Sequence, residues 1–502
     1  MPILTRTFST VRVASKAPSR RPVLRLALTA LIAVLAISAA PATAATATLP
    51  PAVQAELDRA GIPPGNVSAW VQSVDATAPS LAVNADSPMN PASVMKLVTA
   101  FVVLEQWGAA QTWDTRVETT GTLRDGVLDG SLFLRGGGDP LLSVERVWKV
   151  LRQVRALGID RVKGDIVLDG SVLALPAHDP DAFDGRGLRP YNSGPHGMLL
   201  HFNTLNLTLI PGRGEGEPVT VLASPPLDGL RIDSRIRTAG GACGTWFAKL
   251  ESALERHAEG PRLVLSGALP ASCGRRDWGA APLSPEAFGV AMIRGLWTEV
   301  GGRLEGRVRA GITPAGSKLL LVETSPPLAD MVREMNKWSS NVIARQLLAM
   351  LGRDAGAAVG RLDAVAGGVL AAGERLTAAG LNTTGLVIEN GSGLSRIERI
   401  RASTLGQMLV AAWRRPYMPE FIAALPVAGI DGTARRRLSD SPARGQAHIK
   451  TGTINNVRAI AGYVLDRHGR RHAVVMMVNH ANAADSRAAQ DALLEWVWAA
   501  TD

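Results

Sequence analysis

Ser93-Val94-Met95-Lys96-Leu97-Val98-Thr99-Ala100-Phe101-Val102-Val103-Leu104 decides how this chain is read. Pro91 stops any preceding helix and sets an N-terminus near Ser93. The dense apolar positions that follow predict a buried helix to about Trp107. On such a helix residues i and i+3 share a face, so Ser93 and Lys96 meet one turn apart. Backbone N–H groups at the helix start stabilise an anion, and the positive end of the dipole disfavours a protonated amine. A neutral Lys96 can then take the proton of Ser93 and make it a nucleophile. The bland alternative is a serine N-cap beside an exposed lysine. On this motif alone that alternative stays open, and composition only singles out the lysine. Of 54 basic residues 46 are Arg and only eight are Lys. An arginine cannot give up its proton in a protein, whereas a desolvated lysine can.

Outward from this helix, Val67 to Val74 and Leu81 to Val83 read as strands. From about Thr115 the texture changes to short strands and Gly-rich turns, with a helical stretch at Leu142–Leu157. It changes again near residue 300, at the apolar run Leu319-Leu320-Leu321-Val322-Glu323, which reads as a buried strand. Pro326-Pro327 open a helix through Met335, and Ser339-Ser340-Asn341 open a second to Leu351. Ala355–Ala379 reads as one Ala-rich helix. Ala459–Leu465 and Ala473–Asn479 read as a hairpin, and Asp485–Ala499 as a terminal amphipathic helix. The expected organisation is a split α/β domain, residues 45–115 and 301–502, around a β-rich insertion at 116–300. No fixed-period repeat is present.

The first 44 residues read as an export signal. Arg6, Arg12, Lys16, Arg20, Arg21 and Arg25 precede the apolar run Leu26–Ala40, with small-x-small cleavage sites ending at Ala44 and Ala47. Ser19-Arg20-Arg21-Pro22-Val23-Leu24 also resembles a twin-arginine signal. The segment supplies +6 of the formal charge of +10, so the high pI does not mark a nucleic-acid binder. A periplasmic location follows as the expectation, where Cys243 and Cys273 form a disulfide stabilising by about 3–4 kcal/mol.

Two further motifs carry chemistry. Ser339-Ser340-Asn341 alone is most simply a helix cap. Lys450-Thr451-Gly452-Thr453 stands where a strand begins. Gly452 permits close approach to the backbone, Lys450 brings charge, and Thr451 and Thr453 bring hydroxyls suited to a carboxylate. The eight His residues read as structural, so no metal or cofactor is expected.

The ordered set S-x-x-K, S-S-N and K-T-G resembles the serine penicilloyl-transferase superfamily. The 246-residue gap from Ser93 to Ser339 is far longer than in class A β-lactamases. It resembles the class C low-molecular-mass penicillin-binding proteins, the peptidase S13 family of D-alanyl-D-alanine carboxypeptidases/endopeptidases. Leu132-Phe133-Leu134-Arg135-Gly136-Gly137-Gly138-Asp139-Pro140, Tyr191-Asn192, Asn203-Thr204-Leu205, Gly391-Ser392-Gly393-Leu394-Ser395-Arg396 and Leu425-Pro426-Val427-Ala428-Gly429-Ile430-Asp431-Gly432-Thr433 extend the likeness over the mature chain. It departs at Asn390, where the family usually has Asp, and at Ile397-Glu398-Arg399, where the family usually has Asn shortly after the Arg. These departures bear on substrate side-chain preference more than on the reaction.

The resemblance implies a β-lactamase/penicillin-binding-protein-like fold and acyl transfer on peptidoglycan stem peptides, with β-lactams as covalent inhibitors. It implies Ser93 as nucleophile, Lys96 as base, Ser339 as proton relay tuned by Lys450, and Asn341 on the acyl amide. Thr451 and Thr453 would bind the terminal carboxylate, beside Gly452, and Arg396 would contact substrate. Backbone N–H groups of Ser93 and Thr453 would form the oxyanion hole, one such donor being worth roughly 3 kcal/mol. Lys450, needing only charge, is expected to tolerate Arg. A β-lactamase or esterase of the same superfamily and a silent wall-binding protein are the alternatives. Peripheral association with wall or membrane, and oligomeric state, stay open.

Overall fold

Ile460, Val464, Val474, Met476 and Val478 alternate with Ala459, Ala461, Tyr463, Ala473, Val475 and Met477 along two neighbouring strands, and both sets are buried. Period-2 alternation with two dry faces requires cover on both sides. The computed structural model, which describes residues 48–359 and 363–499, supplies it. A five-stranded antiparallel sheet runs in the order Ala447–Ile454, Val457–Leu465, Arg471–Asn479, Val67–Ser73, Leu81–Val83. Trp70 opposes Val475, so the two ends of the described chain meet in adjacent strands. Helices Pro51–Arg59 and Arg487–Ala499 cover one face through Val53, Leu57, Leu493, Leu494 and Val497. On the other face lie Met95–Trp107, Leu328–Lys337, Asn341–Val359, Ala364–Ala378 and Ala402–Trp413. Residues Met95 to Leu104 are all buried, as the apolar run demands of a central helix.

A second core gathers Val117, Leu134, Val150, Ile166, Leu207, Leu265 and Ile293. Its largest sheet runs Val308–Ala310, Ile166–Asp169, Leu132–Arg135, Asp114–Thr119, Lys318–Thr324. Smaller sheets complete it, together with helices Val144–Ala156 and Pro285–Glu299, the second of which the β-rich expectation omits. Cys243 and Cys273 are bridged within it. All described residues fall in one compact unit, Thr46–Asp502.

Two sequence expectations change, and a third falls outside the described residues. Leu319–Glu323 is not a buried strand: Lys318–Thr324 is the edge of the inserted sheet, with Leu319 43% and Val322 40% exposed. Its pairing with Asp114–Thr119 carries the inserted strands from residue 114 to residue 324. The Ala-rich segment is two helices, not one, because the Asp363 carboxylate accepts the N–H groups of Val365 and Ala366 and starts a new helix. The expected export signal lies outside the described residues. Among those described, no helix is long and apolar enough to cross a membrane.

The inserted strands are pinned to the helical layer at one point that matters for the site. Gly138, at φ +88°, packs against Met350 with no room for a Cβ. Its carbonyl accepts Gln346 Nε2 at 3.0 Å. The fully buried Gln346 also exchanges hydrogen bonds with the backbone of His196, at 2.9 and 3.0 Å. This seam fixes helix Asn341–Val359, whose first residue lines a cleft.

Candidate active site

Ser93 lies in the short 3-10 turn Ala92–Val94 that leads into helix Met95–Trp107. Ala92 is held at φ +44°, a left-handed conformation an alanine seldom adopts. Asn90 holds the turn: its Oδ1 accepts the Ala92 N–H at 2.8 Å and its Nδ2 donates to the Ser395 carbonyl at 2.9 Å. Lys96 is fully buried one helical turn on. Its Nζ donates to Ser93 Oγ at 3.2 Å, to Asn341 Oδ1 at 2.6 Å and, by a shorter contact, to the Ser392 carbonyl. Burial holds the Lys96 ammonium well below the usual lysine range, and the charges of Lys450 and Arg345 add to this while Glu398 opposes it.

A second serine–lysine pair faces the first. Ser339 sits between helices Leu328–Lys337 and Asn341–Val359 at φ +59°. Strain of this kind persists only where the surroundings dictate it. Lys450 Nζ donates to Ser339 Oγ at 2.9 Å and to the Thr451 carbonyl at 2.8 Å. It too is fully buried, and burial pulls it down to about 7. Lys450 lies on the edge strand Ala447–Ile454, which packs against the Ala92–Val94 turn. A Cβ on Gly452 would stand 2.5 Å from the Pro91 carbonyl oxygen and 3.1 Å from Ser93 N.

These groups open into a cleft of about 730 Å³ lined by Ser93, Ser339, Asn341, Leu394, Arg396 and Thr453. Phe183, Asp184 and Tyr191 of the inserted segment complete it. Asn341 Nδ2 donates to the Tyr191 carbonyl at 3.2 Å, so one amide ties lysine, insert and cleft together. Arg396 stacks over Phe183 at 4.6 Å. With Leu394 they wall off a neighbouring cavity of about 460 Å³ that none of the serine–lysine groups reaches.

Ser93, Lys96, Ser339, Asn341 and Lys450, far apart in sequence, therefore meet at one place. Thr453 and Arg396 line the cleft. Gly452 packs on the nucleophile turn. Thr451 Oγ1 donates to Thr433 Oγ1 at 3.0 Å, which adds a hydroxyl that the motifs do not include. Arg345 and Glu398 are site residues that the motifs also leave out. Both are buried, yet nothing in the charged stretch Arg396-Ile397-Glu398-Arg399 signals burial.

A sequence model described as the D-Ala-D-Ala carboxypeptidase 3 (S13) family matches residues 52–500. A D-alanyl-D-alanine carboxypeptidase of Actinomadura sp. is 30% identical over 429 residues, covering 80% of this chain and 76% of the relative. The D-alanyl-D-alanine carboxypeptidase DacB of Haemophilus influenzae is 25% identical, covering 80% and 83%. The crystal structure of penicillin binding protein 4 from Haemophilus influenzae superposes with a TM-score of 0.72 at 23% identity, covering 89% of this chain and 99% of that one.

Proposed function

The chain belongs to the D-Ala-D-Ala carboxypeptidase 3 (S13) family, and from that premise we propose a serine-type DD-carboxypeptidase/endopeptidase that cleaves peptidoglycan stem peptides through an acyl-enzyme on Ser93. One observation carries the reading. Two buried lysines, each hydrogen-bonded to its own serine, converge on a single cleft.

Neutral Lys96 takes the proton of Ser93 Oγ as the oxygen attacks the carbonyl carbon of the penultimate D-Ala. The Ser93 and Thr453 amides hold the resulting oxyanion. Collapse breaks the C–N bond. The leaving amine takes the Ser339 hydroxyl proton, which the Lys450 ammonium replaces. Water then attacks the ester and gives its proton to neutral Lys450. Lys96 returns its proton to Ser93 Oγ as the C–O bond breaks. The cycle thus starts with Lys96 neutral and Lys450 protonated; burial lowers both lysines, Lys450 to about 7. Asn341 holds the acyl amide, and Thr451 with Thr453 holds the terminal carboxylate.

The substrate site spans a catalytic part split around the insertion, which contributes Phe183 and Tyr191 to the cleft. The enzyme is exported and acts in the periplasm, and β-lactams acylate Ser93. A fluorescent penicillin tests the reading. Wild type is expected to trap the label and Ser93→Ala to trap none. No trapping by wild type sinks the enzyme reading, trapping by Ser93→Ala moves the nucleophile, and rapid turnover of the label favours a β-lactamase. Mass spectrometry of digested muropeptides then reports loss of terminal D-Ala against loss of cross-links.

A further inference from the structure

The proton transfers above leave unused a carboxylate buried beside them. Glu398 is fully buried. Its Oε1 accepts the backbone N–H groups of Glu389, Asn390 and Gly391, each at 3.1 Å. Its Oε2 is buried without a hydrogen-bond partner. These amides begin the turn that presents the Ser392 carbonyl to Lys96 Nζ. Asn390 closes the turn: its Oδ1 accepts Ser392 N–H at 3.0 Å and Ser392 O–H at 2.6 Å, and its Nδ2 donates to the Leu394 carbonyl at 3.1 Å. Burial raises the Glu398 carboxyl above the usual carboxylate range, and the three N–H groups converging on one oxygen, with the charge of Lys96, pull toward the ionised form.

The charges around this group come from separate elements. Lys96 lies on the nucleophile helix, Arg345 on helix Asn341–Val359, Lys450 on the edge strand and Glu389 on the turn itself. Arg345 is anchored by Nη1 to the Tyr191 and Ser193 carbonyls at 3.2 and 2.9 Å and is held down to about 10 by burial against the pull of Glu398 and Glu389. The charges of Lys450 and Arg345 disfavour the Lys96 ammonium, and that of Glu398 favours it.

We propose that Glu398 is a positioning residue for acylation: it fixes the 389–395 turn that carries the Ser392 carbonyl and supplies negative charge opposite Lys450 and Arg345 at the Lys96 amine. The physical need is a balance. A lysine that keeps its proton cannot accept one from Ser93, and a lysine stripped of all affinity for protons is a feeble base. The inference rests on the reading of Lys96 as the base.

The test is the pH profile of the acylation rate constant with a fluorescent penicillin, measured on the full chain. Glu398→Gln keeps the shape and an acceptor oxygen but drops the charge. Its acid limb is expected to move to lower pH by about one unit, because loss of the nearby anion destabilises the Lys96 ammonium. The plateau is expected to fall about threefold as the base weakens. Glu398→Asp keeps the charge and is expected to leave the limb in place while lowering the plateau. An equal loss at every pH in Glu398→Gln, with the limb unmoved, would reduce Glu398 to a structural prop and overturn the proposal. So would a limb in Glu398→Asp that moves; this arm holds even if the Gln variant fails to fold, which thermal unfolding reports. Failure of the underlying reading shows separately, as a Lys96→Arg variant that retains the wild-type rate and limb.

Discussion

Ser93–Lys96 and Ser339–Lys450 are the same two chemical groups built in two different ways. The first pair is local, three residues apart across a 3-10 turn and the first turn of the helix that follows it. The second joins residues 111 apart, on an inter-helix turn and an edge strand. Lys96 has three acceptors and a neighbouring carboxylate, whereas Lys450 has two acceptors and a shift set by burial alone. The difference teaches that burial by itself depresses a lysine, and that at Lys96 charges of both signs act on top of it. Lys96 is the one surrounded by adjustable charge.

Removing the nucleophile makes the sharpest break between the pairs. Ser93→Ala is expected to abolish covalent labelling, while Ser339→Ala retains slow labelling; intact-protein mass spectrometry after penicillin exposure reads both. Next comes the base. Lys96→Arg is expected to cost about 10²–10⁴-fold in acylation, since arginine keeps its proton.

The sequence-level expectation that Lys450 tolerates Arg is now narrowed. The site is closed around Lys450 Nζ, so the larger guanidinium is expected to destabilise by about 1–3 kcal/mol and to lower activity. Thermal unfolding and rate together show this. The activity that survives carries a signature. Wild-type turnover is expected to decline as pH rises through about 7, where Lys450 loses the proton it must hand on. Lys450→Arg, which cannot hand that proton on, is expected to lose most turnover at every pH, and the small remainder is expected to lack the alkaline decline. A wild-type alkaline limb preserved in Lys450→Arg would assign the titration elsewhere.

Gly452→Ala probes the contact between the two halves. A Cβ pressed against Pro91 O and Ser93 N is expected to shift the nucleophile turn and slow acylation about tenfold, with both lysines intact. The smallest effect is expected at Arg396→Ala, which unstacks Phe183 at the cleft wall: a rise of a few fold in KM for stem peptides and little change in penicillin acylation.

Much of this architecture is legible in the order of the amino acids. The apolar run after Lys96 announces a buried helix, and the alternating strands near the end announce a sheet buried on both faces. The Leu319–Glu323 run misleads because apolar residues occupy both faces of an edge strand there. The Ala-rich segment misleads because helix propensity continues across a break that a single Asp cap creates. Glu398 stands out in the sequence only as an unexpected acid among arginines, with no local sign that three backbone amides enclose one of its oxygens.

The sequence by itself determined the Ser93–Lys96 pairing, the order of the motifs and the family likeness. Helical spacing places i and i+3 together whatever else the chain does. The tertiary structure alone decided how completely both lysines are buried and that three backbone amides enclose a Glu398 oxygen on the turn whose Ser392 carbonyl meets Lys96. Desolvation and the field at a buried amine are produced by everything packed around it, and those atoms come from helices, strands and an insertion hundreds of residues apart.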